Sequence, residues 1–179
     1  MALNFANGVQ PGRGFLIGAN AQEESLCRCS ALYPILLGDA MYAFHKKQAC
    51  TDSSNWAILT PEVPVFANEQ GGLESTPWPL GILTCAAPIA SPETLNRSAE
   101  LIRSRIDRVL QIALKYGYGT LVLGAWGCGA FGNDPYCIAG AFDQSLRGRF
   151  SGQFDRVVFA LSDFPSSRKC LKAFGEVFG

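Results

Sequence analysis

Leu3-Asn4-Phe5-Ala6-Asn7-Gly8-Val9-Gln10-Pro11-Gly12-Arg13-Gly14-Phe15 opens the chain, and Gln22-Glu23-Glu24 follows after a spacer that ends in Ala21. Residues 3–6 are apolar apart from Asn4 and read as a short buried strand. The Gly/Pro/Asn-rich stretch behind them reads as loop as far as Ala21, because glycine and proline punctuate regular structure. Asn20 is placed to cap a helix over residues 21–33, which Pro34 ends. Strand, glycine loop and helix start together have a chemical meaning. Glycines let backbone amides approach a ligand closely, and a helix start adds unpaired N–H groups and positive potential. An anionic or diphosphate ligand suits such a loop.

Outward from this unit, strands and helices alternate. A second helix is expected over 35–46. Residues 47–80 carry Pro61, Pro64, Gly71, Gly72, Pro77 and Pro79 and read as loop with short strands at 56–59 and 63–66, before an apolar strand at 82–86. Ser91-Pro92-Glu93 has the form of a helix start, with a cap, proline at the first helical position and an acid in the first turn. Leu95, Ala99, Ile102, Ile106, Val109 and Ala113 then recur at helical spacing until Gly117. Residues 120–123 form a continuous apolar strand, as in a sheet covered on both faces. A second glycine-rich loop, 124–134, leads to a helix from 135 to about 148. A strand at 157–161 and a helix from Pro165 to about 178 complete the chain. The pattern predicts an α/β fold with a largely parallel sheet. Ligands of such sheets sit beyond the carboxyl ends of the strands, so both glycine loops are expected to face one crevice.

The totals narrow the function. The 179 residues fit a single domain over 1–179. Apolar residues at 48% against 17% charged exclude a disordered polyelectrolyte. Fifteen basic and fifteen acidic side chains cancel, which argues against duplex nucleic acid as a partner. No apolar run approaches the roughly 18 residues that span a bilayer, and no secretion signal is visible, so no membrane partner is expected. Seven scattered cysteines read as reduced thiols in a cytoplasmic protein. The apolar strand at the very start also suggests that the first element of the parent fold is missing or supplied by something else.

At this point the residues resemble a known family. Asn7 to Gly14 followed by Gln22-Glu23-Glu24 is similar to the signature of poly(ADP-ribose) glycohydrolases, in which three glycines precede Gln-Glu-Glu. The continuation Ser25-Leu26-Cys27-Arg28-Cys29-Ser30-Ala31-Leu32-Tyr33-Pro34 resembles the bacterial-type branch, as do Val63-Pro64-Val65-Phe66, Ala86-Ala87-Pro88 and Trp126 to Pro135. The resemblance implies a three-layer α/β/α macrodomain with a mixed, largely parallel sheet. It implies hydrolysis of the ribose–ribose O-glycosidic bonds of poly(ADP-ribose), with ADP-ribose as product and no cofactor or metal. The partner is then the polymer or an ADP-ribosylated protein.

Residue roles follow from the same resemblance. Glu24 is the catalytic acid/base and Glu23 its catalytic neighbour, holding the distal ribose hydroxyls together with Asn7, which matches the second asparagine of the macrodomain Asn-Ala-Ala-Asn motif. Pro11, Gly12, Arg13, Gly14 and Gln22 line the ligand from the first loop. Gly127, Cys128, Gly129, Ala130, Phe131, Gly132 and Asn133 line it from the second, with Phe131 over the ribose or ordering its loop. Each role has a plainer counterpart: Glu23 stands three residues after Asn20 as in a capping box, Asn7 suits a turn, and Phe131 suits a core. Three departures stand out. Arg13 replaces the middle glycine, Ile89 stands where relatives often have asparagine, and the N-terminal region that commonly supplies an acid for the adenine is missing. The last leaves a sheet edge open to self-association.

Rival readings are an ADP-ribose-binding module without turnover and a hydrolase of mono-ADP-ribosylated substrates. Gly127 to Gly132 also satisfies the dinucleotide fingerprint G-x-G-x-x-G, but the acidic residue that should end the next strand is absent and Asp155 precedes that strand instead. Cys27, Cys29, His45 and Cys50 include no Cys-x-x-Cys pair, so no metal site is expected. His45, the only histidine, is expected on a helix face or in a loop.

Overall fold

The computed structural model describes residues 1–48, 53–163 and 167–179. The chain divides into two compact units, Met1–Ala86 and Ala87–Gly179.

In the first unit, β1 (Ala2–Phe5) is buried along most of its length. It pairs in parallel with the end of β3 (Leu73–Cys85), Leu3 opposite Leu83 and Phe5 opposite Cys85. β2 (Ile58–Ala67) is antiparallel to β3, giving the order β2-β3-β1. A loop with two short strands was expected over 47–80; a long hairpin occupies most of it. The prolines misled because their cost depends on register. Pro64 lies opposite Pro79. Two residues without N–H groups can face each other only at a non-hydrogen-bonded pair, where neither interrupts the ladder. Pro61 falls within the register shift between Thr60 and Val63, where the strand bulges. At the hairpin tip the Asn68 side chain accepts the N–H groups of Gln70 and Gly72.

The two helices expected over 21–46 are three: α1 (Gln22–Cys29), α2 (Leu32–Leu36) and α3 (Ala40–Lys46). Ser30 turns extended and bridges Val65, and the Ala31 N–H donates to Pro64 O at 3.0 Å. Attachment to the hairpin therefore ends α1 before Pro34 is reached. Pro34 lies in the first turn of α2, where a missing N–H costs nothing. Asp39 caps α3 by accepting the Met41 N–H at 2.8 Å. Cys27, Leu32, Leu36, Met41, Tyr42, Val63 and Ile82 form the core beneath these helices. Each large aliphatic side chain buried there stabilises by about 1.5–3 kcal/mol.

The second unit holds α4 (Leu95–Lys115), β4 (Thr120–Gly124), α5 (Pro135–Arg147), β5 (Arg156–Ala160) and α6 (Lys169–Phe178). α4 starts later than expected. Ser91-Pro92-Glu93 form a turn in which the Ser91 N–H donates to Thr94 Oγ1, and Thr94 takes the cap position. Ile102, Ile106, Val109 and Ala113 face the core as the spacing predicts. β4 and β5 pair in parallel. Their burial alternates, with Leu121 and Leu123 inside and Val122 and Val158 exposed, so the expected cover on both faces is absent from this pair. Asp134 caps α5 through the Cys137 N–H, with Pro135 at the first helical position. Pro165, the expected start of the last helix, lies outside the described residues. Phe159 packs on Phe174 and Phe178 of α6, with ring centroids 5.0 and 4.6 Å apart. The expected α/β class holds: β1–β3 and β4–β5 are parallel and β2–β3 is antiparallel. Among the described residues no helix is long and apolar enough to cross a membrane.

Candidate active site

Gln22 ties the start of α1 to the end of β1. Its Oε1 accepts the Phe5 N–H and its Nε2 donates to Leu3 O, both at 2.8 Å. The amide thus behaves like a neighbouring strand, and Gln22, expected among the ligand-lining residues, is engaged in the scaffold at both ends. The register it sets carries Glu23 and Glu24 under the glycine loop. Glu23 is 4% exposed and Glu24 3%. Glu23 Oε2 accepts the Asn7 N–H at 2.8 Å and its Oε1 the Gly12 N–H at 3.2 Å. Glu24 Oε1 accepts the Gly14 N–H at 3.2 Å and its Oε2 the Ala21 N–H at 3.1 Å. All four carboxyl oxygens are held by backbone N–H groups between β1 and α1. Burial pushes the Glu23 carboxyl up to about 7, and the adjacent Glu24 charge pushes the same way. The N–H groups of Asn7 and Gly12 and the Asn4 amide pull against that rise.

The helix cap differs from expectation. Ala21, not Asn20, is the cap residue, and Glu24 rather than Glu23 reaches back to its N–H. Asn20 Oδ1 instead accepts from Arg28 Nη2 at 2.6 Å. The loop is shaped by two successive turns. Arg13 N–H donates to Gln10 O across Pro11-Gly12, and Phe15 N–H donates to Gly12 O across Arg13-Gly14. Proline followed by a left-handed residue is the sequence pattern of a type II turn. Gly12 has φ +60°, and a Cβ there would stand 2.7 Å from Tyr33 Cδ2, so both backbone and space require glycine. Arg13 is also left-handed, at φ +34°, with its side chain exposed. Asn7 closes a turn of its own: its Oδ1 accepts the N–H groups of Val9 and Gln10 at 3.0 and 2.9 Å.

In the second unit the other glycine loop is braced by Asn133. Its Oδ1 accepts from Ser98 Oγ, its Nδ2 donates to Pro88 O and Gly127 O, and its backbone N–H also donates to Gly127 O. Asn133, expected to line the ligand, is buried and braces the loop. Gly129, Ala130 and Gly132 are exposed, while Gly127, Cys128 and Phe131 are half-buried. Phe131 O accepts the Ala90 N–H at 2.7 Å.

Asn4 was missed as a neighbour of the glutamates, and His45 lies on a helix as expected. Asn4 is fully buried in β1, donates to Thr84 Oγ1 at 3.2 Å, and influences Glu23 through its amide. A polar residue inside an apolar strand was the available signal. His45 is 2% exposed on α3 and hydrogen-bonds Gly8 O at 2.7 Å. Its spacing from Met41 and Tyr42 marks the buried face of that helix. Among the described residues no group of His, Cys, Asp and Glu is arranged to hold a metal ion, and Cys50 lies outside them.

Comparison with known proteins bears on the same site. Residues 1–68, which contain both glutamates and the whole first loop, match the microbial-type PARG catalytic domain. No curated protein matches the chain. The structure is similar to that of poly(ADP-ribose) glycohydrolase from Thermomonospora curvata, with 41% identity and a TM-score of 0.92 over 99% of this chain and 67% of that one. The T. curvata enzyme bound to the inhibitor ADP-HPD matches at 41% identity and TM-score 0.92, covering 99% and 69%. The Deinococcus radiodurans enzyme in complex with ADP-ribose matches at 38% identity and TM-score 0.91, covering 98% and 73%. With nearly its whole length superimposable on bacterial enzymes at this identity, the chain belongs to the microbial-type poly(ADP-ribose) glycohydrolase family of macrodomain-type α/β hydrolases.

Proposed function

We propose that this protein hydrolyses the ribose–ribose O-glycosidic bond of poly(ADP-ribose) and releases ADP-ribose, with Glu24 as the acid/base. The observation that carries this reading is the buried Glu23–Glu24 pair, whose oxygens are all oriented by the glycine loop and helix cap. Cleavage needs a proton for the departing ribose oxygen while the anomeric carbon gains oxocarbenium character, and then a base for the attacking water. Glu24 supplies both in turn. Burial raises the Glu23 carboxyl to about 7, which reduces its charge beside Glu24 at neutral pH. Glu23 and Asn7 then hold the ribose diol next to the broken bond. Glycine-loop N–H groups and the N-terminus of α1 favour the substrate's diphosphate.

The relatives that hold ADP-ribose and ADP-HPD support a site for the ADP-ribose unit here. Gly127, Cys128, Gly129, Ala130 and Phe131 are assigned to that ligand on the strength of the family resemblance. The test is incubation of the purified protein with labelled polymer beside a Glu24→Gln control. Release of ADP-ribose by the wild type alone is expected. A wild type that binds ADP-ribose and cleaves nothing overturns the reading in favour of a binding module. Cleavage confined to mono-ADP-ribosylated protein overturns the substrate assignment.

A further inference from the structure

We infer that His45 is a positioning residue of this active site, acting through the carbonyl of Gly8; the inference rests on the function proposed above. The ring is buried between two partners. Nδ1 lies 2.7 Å from Gly8 O, and Nε2 lies 2.7 Å from Ser54 Oγ and accepts the Ser54 N–H at 3.1 Å. A carbonyl only accepts, so Nδ1 carries the proton. A backbone N–H aimed at Nε2 requires a lone pair there. The two contacts together fix one neutral tautomer, Nδ1–H.

What this hydrogen bond orients is the Gly8–Val9 peptide. Its carbonyl end is held by His45, and its N–H end donates to Asn7 Oδ1 at 3.0 Å. Asn7, in turn, presents its own N–H to Glu23 Oε2. Rotation of that one peptide would leave Gly8 O buried without a donor and remove a donor from the Asn7 side chain, the group assigned to the ribose. The chain is also closely packed at Gly8, where a Cβ would stand 2.0 Å from Ser53 Oγ and 3.2 Å from Ala86 Cβ. His45 thus sets the direction of the Asn7 amide from α3 without touching substrate.

The experiment compares His45→Leu with His45→Asn, whose Nδ2 occupies about the place of Nδ1–H and restores the donor to Gly8. ADP-ribose affinity by calorimetry and kcat/KM on labelled polymer are measured below the melting temperature of each variant. His45→Leu is expected to lose about tenfold or more in both, and His45→Asn to recover most of it even if both melt earlier, because a buried carbonyl left without its donor destabilises the conformation that needs it. His45→Leu that binds ADP-ribose like the wild type overturns the role and leaves the proposed function standing. A wild type that neither binds nor cleaves overturns both. If His45→Leu does not fold, the wild type still decides: His45 is the only histidine in the chain, so its ring ¹⁵N shifts report one tautomer directly. A Nδ1-protonated ring that responds to added ADP-ribose is expected. A Nε2-protonated ring, or one indifferent to ADP-ribose, overturns the proposal.

Discussion

The Asn7 backbone N–H donates to Glu23 Oε2 at 2.8 Å, which joins the loop leaving β1 to the first turn of α1. The bond has a counterpart one residue on, where Gly14 N–H meets Glu24 Oε1. The two glutamates are therefore part of the loop's framework as well as of its proposed chemistry, and substitutions that keep their shape separate the two roles.

Glu24→Gln retains an oxygen for one N–H and almost the whole volume, but it transfers no proton. Turnover of polymer is expected to fall by about 10²–10⁴, the usual weight of general acid–base catalysis. ADP-ribose affinity is expected to change by less than about tenfold. Near wild-type turnover would remove Glu24 from the acid/base role.

Glu23→Gln tests the raised carboxyl. A group whose folded pKa lies above its ordinary value adds stability that is fully present below about 4.5 and is lost as pH rises through about 7. The amide does not titrate, so the variant's stability relative to wild type should improve from pH 5 to pH 8. The linkage limit for a rise from 4.5 to about 7 is about 3 kcal/mol. A fixed cost from the second N–H, which the amide cannot satisfy, shifts both pH values alike. Denaturation curves at the two pH values measure the difference, and a gap that does not change with pH would mean that Glu23 is ionised in the folded protein well below 7.

The central unit of this fold was legible because its signals are local. Leu3, Phe5 and Ala6 are apolar, the glycines cluster, and Gln22-Glu23-Glu24 follows at short range. Where the reading failed, a distant partner decided. Helix α1 stops at Ser30 because Val65, thirty-five residues on, captures the backbone. The prolines of the hairpin are harmless only in the register that sets Pro64 against Pro79. Asn20 has the right chemistry for a cap, but Arg28 takes its oxygen and Glu24 does the capping. His45 reaches Gly8 across thirty-seven positions, a contact that no local pattern predicts.

Phe131→Ala separates ligand contact from loop order. The bond from Ala90 N–H to Phe131 O belongs to the backbone and survives the substitution, as does the bracing by Asn133. The loop should keep its course while losing the ring. If the ring covers the ligand, ADP-ribose binding weakens by about 1–3 kcal/mol, the scale of ring stacking in nucleotide sites. Unchanged affinity in calorimetry with a lower melting temperature would make Phe131 a packing residue.

Arg13 stands where the family resemblance implies a glycine, and its backbone is left-handed. At φ +34° a residue with a Cβ carries strain of about 1–2 kcal/mol, which glycine avoids. Against that gain, glycine costs unfolded-state entropy of about 0.4–1 kcal/mol. Arg13→Gly should therefore be neutral to mildly stabilising, with the melting temperature rising by no more than about 2–4 °C. The left-handed backbone at this position shapes the turn that presents Gly14 N–H to Glu24, so relief of strain should also tighten ADP-ribose binding. Arg13→Ala is the necessary companion, since it keeps the strained Cβ and removes only the guanidinium. If the exposed cation pairs with the ligand's diphosphate, both variants lose affinity and the loss shrinks as salt is raised. If the backbone governs, Arg13→Gly gains while Arg13→Ala stays near wild type. Calorimetry of the two variants at low and high salt distinguishes these cases, and weaker binding by both would show that arginine here is an adaptation for the anionic ligand.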